Sequence, residues 1–386
     1  MIVQHPMLWC AVCLMAGIAV GLYFPLPYFL PALAAAVIAC TLLRKTAHWH
    51  DVLTLLVWFL LGCSRAGMVD GQRTTDYGQQ TIANGQQKMG VFFRSARTSL
   101  IARLERSGVS QRTLALCSAL VVGEKNGLEY ETKQAYRKVG AAHLLALSGM
   151  HLGIIYSLLY LIFIRWFRHT RWRWQTLPLI LLCLWGYALV AGMPVSLARA
   201  ALMLSTLTII SLMQYNTDPL HPLALSAIII LMIAPSDLQS ISFQLSFAAV
   251  FFLVALWTPL RDRFPEMHWA VELLITSCIA TLGTMPLVAY YFHQIPLLGP
   301  LLSLILIPMT TLIIYLTLAA MLLPIAPLGW LLTGIVSLQE WILELAGSIP
   351  HSILIDVYPS KTVVALMYGA MIVAVIRLRT RPSAEL

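Results

Sequence analysis

Residues His143–Gly153 read HLLALSGMHLG, and the rest of the chain is organised around this stretch. It opens an apolar run over 142–164 that is long enough to cross a bilayer as one helix. At about 100° per residue, His143, Ser148 and His151 fall within roughly 140° of one face of that helix. The spacing therefore predicts a membrane helix with one polar face.

Two glycines mark the other side of the same predicted helix. Gly149 and Gly153 lie on nearly the opposite face in small-xxx-small spacing, which lets a neighbouring helix approach closely. Imidazole and hydroxyl groups at membrane depth are costly unless they are partnered, so the polar face is a functional candidate. The plainer alternative is that each polar group only satisfies the backbone of a neighbouring helix.

The composition excludes a soluble domain. Apolar residues make up 59% of the 386 residues and charged residues only 11%. We expect an all-α polytopic membrane protein with about 10–12 transmembrane helices and a short external amphipathic segment. The first apolar segment is followed by many others and has no convincing cleavage site, so we interpret it as a span rather than a signal peptide.

Twelve apolar segments are candidates for crossings. They fall near 7–24, 28–43, 52–68, 142–164, 177–191, 196–213, 221–234, 238–258, 268–290, 299–323, 327–348 and 361–377. Lys and Arg cluster in the loops after the second, fourth and eighth segments and after the last one. Because basic loops stay in the cytoplasm, this predicts a multi-pass membrane protein with both termini cytoplasmic.

The crossings divide the chain into four predicted regions. These are amino-terminal membrane helices over 1–68, a periplasmic or interfacial segment over 69–141, a core of membrane helices over 142–378 and a basic cytoplasmic tail over 379–386. In the second region, a polar loop-like stretch gives way at Val91 to an amphipathic helix carrying several arginines. The segment over 69–141 has more basic than acidic residues. Attraction to anionic lipid explains this excess of positive charge at least as well as attraction to nucleic acid does.

Further polar residues interrupt the apolar core. Arg199 lies about one turn into the sixth segment, where snorkelling to the interface is an equally good explanation. The eighth segment carries Ser242, Gln244 and Ser246. Glu340 and Glu344 share a face of the eleventh segment, which indicates a surface helix slightly more than a buried site.

Metal chemistry and cofactors are not expected. The stretch His48-Trp-His50-Asp51 lacks the ligand spacing of metallo-β-lactamases, and no other cluster of metal ligands stands out. We expect no catalytic residues, no metal and no cofactor.

Several separated stretches, in the same order, resemble the ComEC family, the inner-membrane DNA channels of natural transformation. They are Ala119–Lys125 (ALVVGEK), His143–Gly153, Pro194–Ala200, Asp218-Pro219, Ser242–Ala249 (SFQLSFAA) and the proline-rich run from Phe292 to Pro308. The six stretches together, in the same order as in the family, indicate the family far more specifically than any one of them does. Leu147, Met150 and Ser303 are mild departures from the family pattern.

The resemblance implies a membrane channel that passes single-stranded DNA across the inner membrane during competence. His143, Ser148, His151, Arg199, Ser242, Gln244 and Ser246 would line its path. A periplasmic DNA receptor, a cytoplasmic helicase and a separate nuclease would be its partners, besides the lipid bilayer, and an oligomer is compatible with this role. Full-length members also carry a large external domain and a metallo-β-lactamase-like domain, so we expect a reduced, channel-only form without nuclease activity.

Two alternatives from other classes stay open at this point. Ser148 with His143 or His151 is the minimum for an intramembrane serine hydrolase, although nothing in the sequence supplies a third group to orient the base. A small-solute or lipid transporter using Glu340 and Glu344 for protons is the other alternative.

The sorting of basic clusters generates the first testable prediction. A reporter that is active only outside the cytoplasm should work when fused near Gln80 and fail near Thr170, Asp262 or Pro382, because short basic loops stay inside. The measurement is reporter activity normalised to fusion abundance. Activity near Thr170 would overturn the predicted orientation.

Overall fold

A computed structural model describes residues 6–23, 54–63, 79–124, 127–145, 147–165, 173–212, 218–349 and 353–380. This part of the chain is helical apart from one two-stranded antiparallel sheet. The predicted all-α membrane class is therefore confirmed.

The helices alternate with short connections along the chain. In order they are α1 Pro6–Tyr23, α2 Thr54–Cys63, α3 Gln79–Arg106, α4 Gln111–Val122, α5 Tyr130–Lys138, α6 Ala142–Leu145, α7 Gly149–Leu159, α8 Arg173–Val190, α9 Val195–Leu212, α10 Leu220–Ile233, α11 Ile241–Arg263, α12 Trp269–Phe292, α13 Gly299–Leu322, α14 Ala326–Gly347 and α15 Lys361–Thr380. A π-helical turn, Tyr160–Arg165, continues α7, and a 3₁₀ helix, Pro235–Gln239, precedes α11. The strands are β1 Gln294–Pro296 and β2 Ile353–Ile355.

Four of the described helices are long and apolar enough to cross a membrane: α11, α12, α13 and α15. Seven shorter apolar helices accompany them. A helix rises about 1.5 Å per residue, so the shorter ones reach through a bilayer only together with neighbouring segments. The predicted twelve crossings and both cytoplasmic termini stay predictions, and the segment 28–43 lies outside the described residues.

The chain folds into two compact units, and residues 1–86 with 205–247 form the first. Within it, α1 packs against α10 and against α2. Gly17 lies directly on the Phe59 backbone, and Gly62 lies on the Leu14 backbone. Close helix contacts through small residues are typical of membrane proteins, where burial of apolar surface alone does not drive association.

The second unit contains residues 87–204 and 248–386. Its largest apolar core joins α4 and α5 to α13 and α14 through buried residues such as Leu116, Tyr136, Ile313 and Leu332. Both α4 and α5 come from the segment predicted to be periplasmic or interfacial. Since their side chains fill the same core as α13 and α14, this segment is an integral part of the helical unit.

The same segment runs along much of α14. The Ser107 backbone touches Gly329 near the start of α14, and Lys138 lies against Gly347 at its end. The preceding helix, α3, begins at Gln79, well before Val91, so the predicted polar loop is already helical there.

The helix predicted to run unbroken over 142–164 is interrupted, which corrects our expectation for the central stretch. Helix α6 ends at Leu145, Ser148 adopts an extended backbone (φ −131°, ψ 174°), and α7 begins at Gly149. His143 and His151 therefore lie on two different helices. They do not share the predicted helix face, because spacing by 100° per residue holds only along one continuous helix.

The small sheet joins two connections of the second unit. Strands β1 and β2 pair with Gln294 opposite Ile355 and Pro296 opposite Ile353. Gly140, which has a positive φ of 74°, lies in close contact with Pro296. The turn before α6 is thereby held against the connection between α12 and α13.

Two glycines of α14 provide a matched test of this packing. A side chain at Gly329 would collide with the Ser107 backbone, whereas nothing lies within 4 Å of a Cβ at Gly334. Gly329→Val should lower the stability of the folded protein by at least about 1–3 kcal/mol, because a backbone cannot move aside as a flexible side chain can. Gly334→Val is the control for helix propensity, and thermal unfolding in detergent is the measurement. Equal melting temperatures for the two variants would show that α14 does not pack this way.

Candidate functional site

The break before α7 is stabilised by its own side chains. Ser148 Oγ lies 3.0 Å from Nδ1 of His151, and the Ser148 backbone N–H donates to the same nitrogen at 3.4 Å. The Ser148 side chain also faces the His151 backbone N–H, which completes a capping box with His151 in the place that Glu or Gln usually takes. A Ser-x-x-His sequence within an apolar run therefore starts a new helix here.

The cap also determines the protonation of the imidazole ring. Because the Ser148 N–H needs an acceptor, Nδ1 of neutral His151 is unprotonated and Nε2 carries the hydrogen. His151 is fully buried, and Nε2 makes no hydrogen bond of good geometry within the described residues, although the Leu144 backbone lies close to the ring. An unsatisfied buried donor costs about 1–3 kcal/mol, which marks this ring as a candidate contact for a polar ligand.

Helix α9 supplies a hydrogen bond to the backbone on the other side of the break. Ser196 Oγ, in the first turn of α9, donates to the Leu147 carbonyl at 3.0 Å. A Cβ placed on Gly149 would lie 3.2 Å from the Ala200 methyl group, whereas nothing lies within 4 Å of one on Gly153. Of the two predicted packing glycines, Gly149 therefore faces α9, whereas a Cβ on Gly153 would have no neighbour within 4 Å among the described residues.

The end of α4 meets the same region. Tyr187 Oη, on α8, donates to the Val121 carbonyl at 2.7 Å. Gly123 ends α4 with a positive φ of 74°, and a Cβ there would lie 3.2 Å from the Ala191 carbonyl oxygen and 3.8 Å from Leu147. The position requires glycine for both conformation and space.

An arginine from α3 binds the turn between α8 and α9. Arg97 Nε donates to the Val190 carbonyl at 3.1 Å, and its guanidinium lies 3.7 Å from the Glu124 carboxylate. A Cβ on Gly192, whose φ is 84°, would lie 2.5 Å from this guanidinium. A cation at the carboxyl end of α8 is favourable because the last carbonyls of a helix lack intrahelical partners.

Three segments thus converge in the second unit: Val121–Glu124, Leu147–His151 and Val190–Ala200. We call this convergence the motif junction. It brings together two helix interruptions, one before α7 and one after α8. At each of them a side chain from another segment donates a hydrogen bond to a backbone carbonyl that has no partner within its own helix. Irregular backbone at membrane depth is tolerated where protein buries it or where it borders a water-filled cavity.

The predicted path residues differ in accessibility. His143 and Ser242 are exposed, Ser148, Gln244 and Ser246 are half-buried, and His151 and Arg199 are buried. Arg199, 2% exposed on α9, makes polar interactions inside the protein, which excludes snorkelling to a surface.

The structure brings only some of the predicted residues together. Ser148 and His151 are in direct contact, and Nδ1 of the exposed His143 lies 3.2 Å from the Gly140 carbonyl. The His143 ring is also near enough to His151 for the two to interact electrostatically. The three residues of α11 belong to the first unit, where Gln244 Nε2 donates to the Leu238 carbonyl at 3.1 Å. Gln244 thereby bonds the end of the 3₁₀ helix.

Metal ligands form no cluster in the part of the chain that the structure describes. No group of three His, Cys, Asp or Glu side chains there is arranged to hold an ion. The stretch 48–51, considered above as a weak metal signature, lies outside that part.

An aromatic cavity of about 680 Å³ lies elsewhere in the second unit, among α11, α12 and α13. Trp257, Trp269 and Tyr315 supply ring faces, and Thr276 and Thr311 supply hydroxyl groups. Rings with nearby hydroxyls suit a planar base or the chain of a lipid.

Comparison with known sequences relates this geometry to a family. The family profile described as "Competence protein" matches residues 120–381, which include most of the motif junction. The chain belongs to the competence protein family. No solved structure matches it.

Curated relatives agree with this assignment. The chain is 34% identical over 197 residues to ComE operon protein 3 of Bacillus subtilis, covering 51% of this chain and 24% of that protein. It is 27% identical over 228 residues to Recombination protein 2 of Haemophilus influenzae, covering 55% and 29%, respectively. It is 33% identical over 240 residues to the uncharacterized protein YcaI of Escherichia coli, covering 59% and 31%. The matches thus span only a quarter to a third of the lengths of these relatives.

Several residues of the junction were missed as site residues in the sequence. Gly123 follows an apolar helix as a helix-ending glycine should, and Ser196 stands in the first turn after Pro194, so both positions carried a local signal. Arg97 carried no local signal, because its partner Val190 is 93 residues away. In the sequence it is one of several arginines of the predicted amphipathic helix.

Gly149 and Gly153 provide a matched test of the junction. Gly149→Val should lower the amount of folded protein and its melting temperature, because the added methyl groups meet Ala200. Gly153→Val, one turn farther along α7, should change either quantity little. The measurements are detergent-extracted monodisperse protein and thermal unfolding, and greater damage from the Gly153 variant would contradict the contact between α7 and α9.

Proposed function

We propose that the chain forms the membrane path by which single-stranded DNA crosses the inner membrane during natural transformation. The observation that carries the proposal is the motif junction. Three of the stretches on which the family resemblance rests are separated in sequence, and they meet where two helices are interrupted. The family assignment supports a role in competence DNA uptake, and the junction supplies polar groups inside an apolar protein.

A strand in transit needs cations for its phosphates and polar or aromatic surfaces for its bases. We assign the accessible part of the wall to His143 and Ser148 and an inner part to His151 and Arg199. The buried pair would contact the strand only after α7 and α9 separate. A fixed cap at Ser148 and a neutral ring at His151 suit weak, repeated contacts, which let a strand slide.

We also propose Ser242, Gln244 and Ser246, on α11 in the first unit, as candidates for the path. Ser242 is exposed, and Gln244 and Ser246 are half-buried, so their polar groups are partly accessible. In the same proposal, a periplasmic receptor delivers the DNA, a separate nuclease removes one strand, and a cytoplasmic helicase pulls the other.

An intramembrane serine hydrolase is the second candidate, since Ser148 Oγ lies within hydrogen-bond distance of His151. A general base needs a group that orients its second nitrogen. Nε2 of His151 has no such partner in the described chain, and the serine instead caps α7. These observations favour the channel.

The path proposal predicts a defect in transport without a defect in folding. His151→Gln, which keeps a polar side chain of similar length, should slow entry of labelled DNA about 10-fold or less and leave protein abundance near normal, because one contact among several is weakened. The measurement is nuclease-protected labelled DNA in the cytoplasm of a deletion strain complemented with each variant. Normal uptake, or equal loss of uptake and of folded protein, would show that the ring is only structural.

The hydrolase candidate predicts another pattern. A serine-directed covalent probe would label the wild type at Ser148 but not Ser148→Ala, and this substitution would abolish activity outright. We expect no labelling and a partial loss of uptake, as for His151→Gln. Labelling at Ser148 would overturn the channel proposal.

A further inference from the structure

A second polar region of the protein is lined by residues that do not belong to the motif junction. A cavity of about 430 Å³ in the second unit opens between α4, α5 and α14. Arg112, Thr132, Tyr136, Lys138, Glu340 and Glu344 are among the residues that line it. We call it the Glu340 cavity.

The charges of the cavity favour a cationic ligand. Glu131, Glu340 and Glu344 line it, and Glu129 lies 3.7 Å from Arg112 at its edge. Four carboxylates therefore accompany two cations, Arg112 and Lys138. Arg112 is already engaged, since its Nε lies 3.1 Å from Glu340. A phosphate or another anion would meet net repulsion here.

Buried hydroxyl groups at the cavity are a separate sign of a ligand site. Tyr136 and Thr132 are 1% and 2% exposed, and neither hydroxyl has a hydrogen-bond partner among the described residues. Burial, together with the Glu340 carboxylate and Cys117, raises the pKa of Tyr136, so its phenol stays protonated. Each hydroxyl can accept a hydrogen bond from an N–H group, and leaving both unsatisfied costs about 1–3 kcal/mol per group.

The spacing of the carboxylates favours an extended cation over a compact one. Glu340 and Glu344 are one turn apart on α14, about 5–6 Å between Cβ atoms, and Glu131 approaches from α5. They form no cluster that could hold a metal ion directly within the described residues. Ammonium groups separated by three or four methylenes have a comparable spacing, and Leu343, Ala135 and the Tyr136 ring can contact the methylenes.

We propose that the Glu340 cavity binds a linear polyamine. One ammonium group donates to Glu344 and Glu131, and another reaches toward Glu340 and the hydroxyls of Tyr136 and Thr132. Polyamines are counterions of nucleic acids, which release them when a protein neutralises the phosphates. Binding at this cavity does not require the DNA path, so it can be tested alone.

The test is calorimetric titration of spermidine into the purified full chain in lipid nanodiscs, with NaCl and MgCl₂ titrated at matched ionic strength. We expect saturable binding of spermidine that NaCl does not reproduce. Glu344→Gln should weaken it about 10-fold, because an exposed carboxylate loses a charge-assisted hydrogen bond without disturbing the core. Tyr136→Phe should weaken it about 3-fold or more while keeping the ring.

The matched control is Glu272→Gln, which removes the same charge from α12 at the aromatic cavity. It should leave spermidine binding within about 2-fold of the wild type, given that exposed charges at a distance are screened. Melting curves confirm that every variant is folded. No saturable binding, equal weakening by Glu272→Gln, or tighter binding of Mg²⁺ than of spermidine at the same carboxylates would each overturn the proposal.

Discussion

Backbone groups that are freed where a helix stops need hydrogen-bond partners when they are buried, and the structure around Ser148 depends on this constraint. Ser148 and His151 satisfy the start of α7, and Ser196 satisfies the Leu147 carbonyl. These bonds require α9 to lie beside the break. Gly149 allows that approach, because any larger side chain there would meet Ala200.

The same requirement explains why a polar segment is folded into an apolar protein. The turn after α8 also leaves carbonyl groups free, and Arg97 supplies the donor for Val190. Glu124, in turn, lies beside the guanidinium. The basic segment before the central stretch is thus tied to the membrane unit by specific polar bonds as well as by the apolar packing of α4 and α5 against α13 and α14.

The second unit contains two polar regions with different chemistry, the motif junction and the Glu340 cavity. The motif junction has a neutral imidazole, a hydroxyl and a buried arginine, and its Glu124 carboxylate lies 3.7 Å from Arg97. The Glu340 cavity is acidic, and two buried hydroxyls border it. In the proposed function, a DNA strand would be repelled by the acidic cavity, because like charges oppose each other in a low-dielectric protein.

The sequence by itself determined the membrane class, the family and most helix positions, because a long apolar run and a collinear set of short motifs depend only on neighbouring residues. The prediction of one continuous helix over the central stretch was wrong, because the Ser148 side chain caps a new helix there instead of letting the first one continue. The partners of Arg97 and Glu340 depended on tertiary structure alone: Val190 is 93 residues from Arg97, and Arg112 is more than twice as far in sequence from Glu340. A pattern within one segment cannot specify which distant carbonyl or charge will face a side chain, because only packing of whole helices brings such groups together.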